Sequence, residues 1–204
     1  MGQITMQTEL GQVLYSLCRN RQDILTVVEI GTYDGLGSTD CIVRGLANSG
    51  KADVCFVSVE ADHRRYRESL QYWSGLLPSW ARILHGRIVE PDEMDTTNLN
   101  SQELDWYSQD EKAFASCLNI MDSLPQSIDL LFLDGGEFST WSEFGKLCSR
   151  SRVVVLDDSV HRKGRDIRNT VLSSGKYRIL FDKPYVNNGI LAFERKESHE
   201  KDQS

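Results

Sequence analysis

Thr26-Val27-Val28-Glu29-Ile30-Gly31-Thr32-Tyr33-Asp34-Gly35-Leu36-Gly37-Ser38 reads as a strand, a turn and the start of a helix. Its first residues are β-branched and apolar around Glu29, and a glycine closes them, the pattern of a strand buried in a sheet. Gly31, Gly35 and Gly37 let the chain turn sharply and come close to a ligand. A helix predicted over residues 38–47 then points its free N–H groups back at that turn. The spacing is Gly-x-x-x-Gly-x-Gly rather than Gly-x-Gly-x-x-Gly, so a dinucleotide pyrophosphate is not favoured.

Working outward, Met6, Leu10, Val13, Leu14, Leu17 and Cys18 recur at helical spacing and predict an amphipathic helix over residues 5–20. Downstream, strands predicted at 54–60, 81–85, 128–134 and 152–157 alternate with helices at 62–77, 112–124, 141–148 and 165–173. Two last strands, 177–182 and 189–194, are joined by a turn holding Pro184 and Asn187-Asn188-Gly189. Apolar strands alternating with helices mean an α/β three-layer sandwich on a mostly parallel sheet, here of seven strands with the last one antiparallel. One domain over residues 1–195 is expected, followed by a charged, frayed tail at 196–204.

The composition narrows the function classes. No apolar run approaches the roughly 18–20 residues that span a bilayer, so no membrane partner is expected. The start, Met1-Gly2-Gln3-Ile4, lacks the basic and apolar regions of a signal peptide, and a soluble cytoplasmic protein is expected. The five cysteines are widely spaced, which predicts buried thiols in a reducing compartment rather than disulfides or a zinc site. The net charge of −7 argues against nucleic-acid binding. Eight acids (Glu90, Asp92, Glu93, Asp95, Glu103, Asp105, Asp110 and Glu111) lie in residues 90–111, without a lysine or arginine; removing those eight turns −7 into +1. This acidic insertion interrupts the strand–helix alternation and reads as a solvated excursion or a substrate lid.

In a sheet of this type ligands bind beyond the carboxyl ends of the strands, where the strand order reverses. The predicted strand ends carry Glu29 with Gly31, then Glu60, His85-Gly86, Asp134 and Asp157-Asp158. Glu60 can accept both hydroxyls of a ribose, or it can serve as a negative charge before the next helix.

With these motifs in hand, the chain resembles class I S-adenosylmethionine-dependent methyltransferases. Val28-Glu29-Ile30-Gly31-Thr32-Tyr33-Asp34-Gly35 is similar to their first motif and Ser58-Val59-Glu60 to their second. Ile128-Asp129-Leu130-Leu131-Phe132-Leu133-Asp134-Gly135-Gly136 resembles their fourth strand, and Val153-Val154-Val155-Leu156-Asp157-Asp158 their fifth. The likeness runs over residues 25–195 outside the acidic stretch, and it is strongest to small O-methyltransferases of the macrocin type. It implies a Rossmann-like fold and S-adenosylmethionine as cofactor. Glu29, Gly31, Thr32, Tyr33 and Gly35 would surround the methionine part, with Ser38 at the helix start and Asp134 near the amine. Glu60 and Ala61 would take the ribose, and Gly86 and Arg87 would lie near the adenine.

Three carboxylates, Asp134, Asp157 and Asp158, converging at one crevice repel one another unless something positive sits between them. All-oxygen ligation suits Mg²⁺, and in the resembled subgroup such a metal holds the hydroxyl to be methylated. Alternatively Asp158 caps a helix and Asp134 belongs to an Asp-Gly turn. Both adjacent aspartates can bind one ion only if the strand has ended before them. The chain departs from the resembled family after the Asp-Gly: where relatives often carry a second aspartate or a histidine, it has Gly136 and Glu137, making Glu137 a candidate base; His161 is another. Arg162, Lys163, Arg165 and Arg168 read as solvated surface or as a handle for an anionic acceptor such as a nucleotide sugar. Trp106, Tyr107 and Trp141 read as a sugar-stacking wall or as packing. The expected activity is methyl transfer from S-adenosylmethionine to a small hydroxylated, sugar-like acceptor with divalent-metal help. A nicotinamide-dependent oxidoreductase and a non-catalytic cofactor-binding protein are the competing classes.

Overall fold

The computed structural model describes residues 4–196. Thr8 opens the first helix, α1 (Glu9–Asn20), with its hydroxyl accepting from the Gly11 N–H. The strands are β1 (Thr26–Ile30), β2 (Cys55–Glu60), β3 (Ala81–His85), β4 (Ile128–Leu133), β5 (Ser151–Leu156), β6 (Tyr177–Lys183) and β7 (Ile190–Arg195). The other helices are α2 (Ser38–Ala47), α3 (His63–Tyr72), α4 (Ser101–Ala115), α5 (Thr140–Leu147) and α6 (Arg162–Ser173). All seven strands form one sheet in the order β3-β2-β1-β4-β5-β7-β6. Neighbours from β3 to β5 pair in parallel, whereas β7 runs antiparallel to both β5 and β6. The expected α/β three-layer, Rossmann-like architecture with an antiparallel last strand is the one observed.

Side chains alternate across the sheet and divide the core in two. Val28, Ile30, Val57, Val59, Leu131, Leu133, Val154 and Leu156 meet Phe144 and Leu147 of α5 and Ile167 and Val171 of α6. On the opposite face Val27, Phe56, Leu130, Phe132, Val153 and Val155 meet Leu10 and Leu14 of α1 and Ile42 and Leu46 of α2. Both faces are covered, which is why the strands are apolar nearly throughout.

Three sequence expectations shift. The helix expected over 112–124 lies earlier, at Ser101–Ala115, so much of the acidic stretch is helical. Its start is fixed by a capping box: Asn100 accepts from the N–H groups of Gln102 and Glu103, while Glu103 accepts from the Asn100 N–H. Phe114 is the helix's only fully buried residue, so its apolar periodicity is faint. The helix expected to run to residue 77 ends at Tyr72. Of the tail expected to fray, Lys196 still donates its N–H to the Lys176 carbonyl, and 197–204 fall outside the described residues. The five cysteines are unpaired, four of them buried. Among the described residues no helix is long and apolar enough to cross a membrane.

Candidate functional site

The strand order reverses between β1 and β4, and the carboxyl ends of β2, β1, β4 and β5 form one edge around that reversal. At its centre Gly31 adopts φ +97°, and a Cβ there would come within 2.2 Å of the Asp134 carbonyl oxygen. Only glycine brings the two strand ends this close. The Asp134 N–H in turn donates to the Ile30 carbonyl.

On the β2 side, the Glu60 carboxylate accepts from the backbone N–H of Tyr33 at 2.7 Å and of Asp62 at 2.9 Å. The strand-end acid thus holds the glycine turn and the start of α3 together. Burial pushes its carboxyl up to about 7 despite those N–H groups. Glu29 is fully buried in β1; one oxygen accepts from the hydroxyls of Thr39 and Ser58, both at 2.6 Å, and the other has no hydrogen-bond partner among the described residues. Burial raises it, too, to about 7. Thr32 is buried and bonded to Ser58, and Ser38 is buried at the start of α2. Tyr33 stands at the mouth, 50% exposed, with the Arg65 guanidinium 3.8 Å from its ring centroid, and the Leu36 side chain is also exposed.

Two residues expected to face the cofactor are engaged by the chain itself. The Gly35 carbonyl accepts from the Trp73 indole at 3.1 Å, and a Cβ on Gly35 would lie 2.8 Å from that nitrogen. Arg87 braces the end of α4, donating to the Phe114 and Cys117 carbonyls and to Glu90. Gly86 packs on Ile120, and the Ala61 carbonyl contacts the His85 ring at 3.1 Å.

On the other side, Asp134, Asp157 and Asp158 come together, with one oxygen of each within 4.8 Å of the others. The strand has ended at Leu156, and Asp158 turns at φ +53°, so both adjacent carboxylates face the crevice. The positive group among them is one the sequence placed elsewhere. Lys163, from the first turn of α6 and only 6% exposed, donates to Asp134 and lies 3.5 Å from Asp158. Burial alone would lower its ammonium, but Asp134, Asp158 and Asp157 together raise it. Asp157 is raised by burial and by its two acidic neighbours, and its Oδ1 is buried without a hydrogen-bond partner among the described residues. The trio has the donor chemistry of a hard-cation site, yet an ammonium already answers two of its members.

Next to Lys163 a cavity of about 280 Å³ is lined by Glu137, Phe138, Trp141, Ser142, Arg162 and Lys163, among others. Trp141 is 46% exposed there, whereas Tyr107 packs edge-on against Phe138 and Trp106 points to solvent. His161 is exposed at the position before α6, and its side chain makes no capping bond. The expected basic cluster disperses. Arg162 donates to Asp95 and the Thr97 carbonyl, Arg168 pairs with Asp182, and exposed Arg165 lies near Asp166. Two further acids lie near the site: Glu143, buried on α5, which the sequence reading did not single out, and Asp110, half-buried on α4, which it counted only as part of the acidic insertion. Burial raises them to about 7 and about 6, with Glu137 adding to the shift of Asp110. Lys163 did leave a signal, because it shares the buried stripe of α6 with Ile167 and Val171, a turn apart each.

No family model matches the chain, and no curated protein matches it in sequence. Solved structures do match in fold. SAH-bound methyltransferase PaMTH1 of Podospora anserina aligns over 92% of this chain and 78% of its own, at 14% identity and TM-score 0.61. The O-methyltransferase of Bacillus cereus, solved with SAH, aligns over 92% and 80%, at 17% identity and TM-score 0.62. Cofactor-bound Rv0187 from MTB aligns over 96% and 83%, at 15% identity and TM-score 0.64. At such identities the likeness is one of fold: this chain shares the Rossmann-like fold of these methyltransferases.

Proposed function

We propose that the chain is an S-adenosylmethionine-dependent methyltransferase acting on an oxygen of a small hydroxylated, sugar-like acceptor. The observation that carries the reading is the edge at the β1–β4 reversal, with Gly31 pressed against Asp134, the loop tied to Glu60 on one side and the aspartates on the other. S-adenosylmethionine, when bound, supplies a methyl group on a sulfonium, whose electron pair returns to sulfur as the acceptor oxygen takes the carbon. Glu60 binds the ribose hydroxyls with the lone pairs its backbone bonds leave free. Glu29, Thr32, Tyr33 and Ser38 surround the methionine part. Glu137, in the cavity wall beside Trp141, takes the acceptor's proton, ahead of exposed His161.

Divalent-metal assistance is a second reading, favoured by the convergence of Asp134, Asp157 and Asp158. It requires Lys163 to give up its place. An acceptor with phosphates, such as a nucleotide sugar, is less supported, since Arg162 and Arg168 are already paired with acids.

The test is a thermal-shift titration with S-adenosylhomocysteine and, in parallel, NAD. At a hundred times its Kd the ligand should stabilise the fold by about 2.7 kcal/mol, seen as a rise in Tm. A rise with NAD and none with S-adenosylhomocysteine assigns the crevice to a nicotinamide enzyme instead.

A further inference from the structure

We propose that Lys163 is the resident cation of the acidic trio and offers its ammonium to the acceptor oxygen, in the place where a divalent metal would stand. Three observations meet here. The ammonium is buried between Asp134, to which it donates, and Asp158, 3.5 Å away, and no other ion pair to either carboxylate is found among the described residues. Lys163 also lines the cavity with Glu137 and Trp141, so the same side chain that neutralises the acids borders the space for an acceptor. Finally, an ammonium has three donors, and Asp134 and Asp158 engage two, leaving one for an acceptor hydroxyl.

A tethered lysine and a divalent ion cannot share this space. Two positive centres at contact distance in a buried site repel strongly, and the lysine carries no entropy cost of capture because the fold delivers it. The trio therefore takes a metal only when the lysine is removed. The catalytic part of this inference rests on the methyl-transfer reading, whereas the placement of the cation does not.

The experiment titrates Mn²⁺ into the purified protein, followed by calorimetry and by the Mn²⁺ paramagnetic resonance signal. Wild type should show no site that depends on Asp157. Lys163→Met should gain one, binding Mn²⁺ roughly tenfold tighter or more, and Lys163→Met with Asp157→Asn should lose it again. In methyl-transfer assays, wild type should be indifferent to EDTA, while Lys163→Met should be inactive in EDTA and partly restored by Mn²⁺ or Mg²⁺. Mn²⁺ binding by wild type that disappears in Asp157→Asn overturns the proposal, and so does activity of wild type abolished by EDTA. If Lys163→Met fails to fold, Lys163→Gln replaces it, and the wild-type titration alone still decides. S-adenosylhomocysteine binding is recorded on each protein; its absence would remove the methyl-transfer reading while leaving the cation result intact.

Discussion

Asp157 and Asp158 are neighbours, and in a continuing strand their carboxylates would point to opposite faces of the sheet. The left-handed turn at Asp158 ends that alternation and brings both to one crevice. Glu60 shows the same economy: one carboxylate fastens both the glycine turn and the start of α3, and in the proposed function it also takes the ribose. We expect Glu60→Ala to weaken S-adenosylhomocysteine binding by roughly 1.5–3 kcal/mol, the worth of charge-assisted hydrogen bonds. Calorimetry showing unchanged affinity on a folded variant would reduce Glu60 to a brace for the loop. The raised carboxyl adds a pH signature. Since the charged form is the better acceptor, wild-type affinity should weaken as pH falls through about 7. Glu60→Gln should flatten that profile.

At the scale of elements, the acidic stretch is where composition misled most. Its charge looks unanswered along the chain, yet in space Glu90 meets Arg87, Glu93 meets Lys146, and Asp95 and Glu103 meet Arg162. Each partner except Arg87 comes from α5 or α6, so α4 and the loop before it are fastened over the end of the sheet that carries the site. The capping box was legible as Asn100 and Glu103, but a helix with one buried residue leaves little periodicity to find. Asn100→Ala should cost α4 about 1 kcal/mol, the usual worth of such a cap. Amide exchange should then speed up in the first turn of α4 and stay unchanged in β1 and β4. Equal protection in both proteins would mean that packing, not the cap, sets where this helix begins.

For the whole molecule, burying carboxylates makes stability depend on pH. Glu29 and Glu143 rise from an ordinary 4.5 to about 7, both mainly through burial. Below pH 4.5 each is protonated folded or unfolded and contributes nothing to the slope. Between about 4.5 and 7 the folded state holds protons the unfolded state has released, so stability falls as pH rises and levels off above 7. Asp110 adds to the same trend. Urea midpoints should therefore be higher at pH 5 than at pH 7.5, and Glu29→Gln should remove part of the difference. A midpoint that rises over this interval would show that these acids are ionised and well solvated in the fold.

What the sequence determined by itself is what repeats locally: β-branched runs alternating with amphipathic helices, glycines at a turn, carboxylates at the ends of strands. These follow from side-chain periodicity and backbone sterics, which act over a few residues. They sufficed for the alternating strands and helices and for placing Asp134, Asp157 and Asp158 at strand ends; that the three carboxylates meet follows from the pairing of β4 with β5 and the left-handed turn at Asp158. Only the tertiary structure decided what answers those charges. Lys163 and Asp134 lie 29 residues apart, and a lysine in a run of basic residues reads as solvated until the helix is docked. The same holds for Arg87, drawn inward to the end of α4, and for Gly35, which faces Trp73. Coulomb interactions and burial depend on distance in space, and the folding of separate elements onto one another sets that distance.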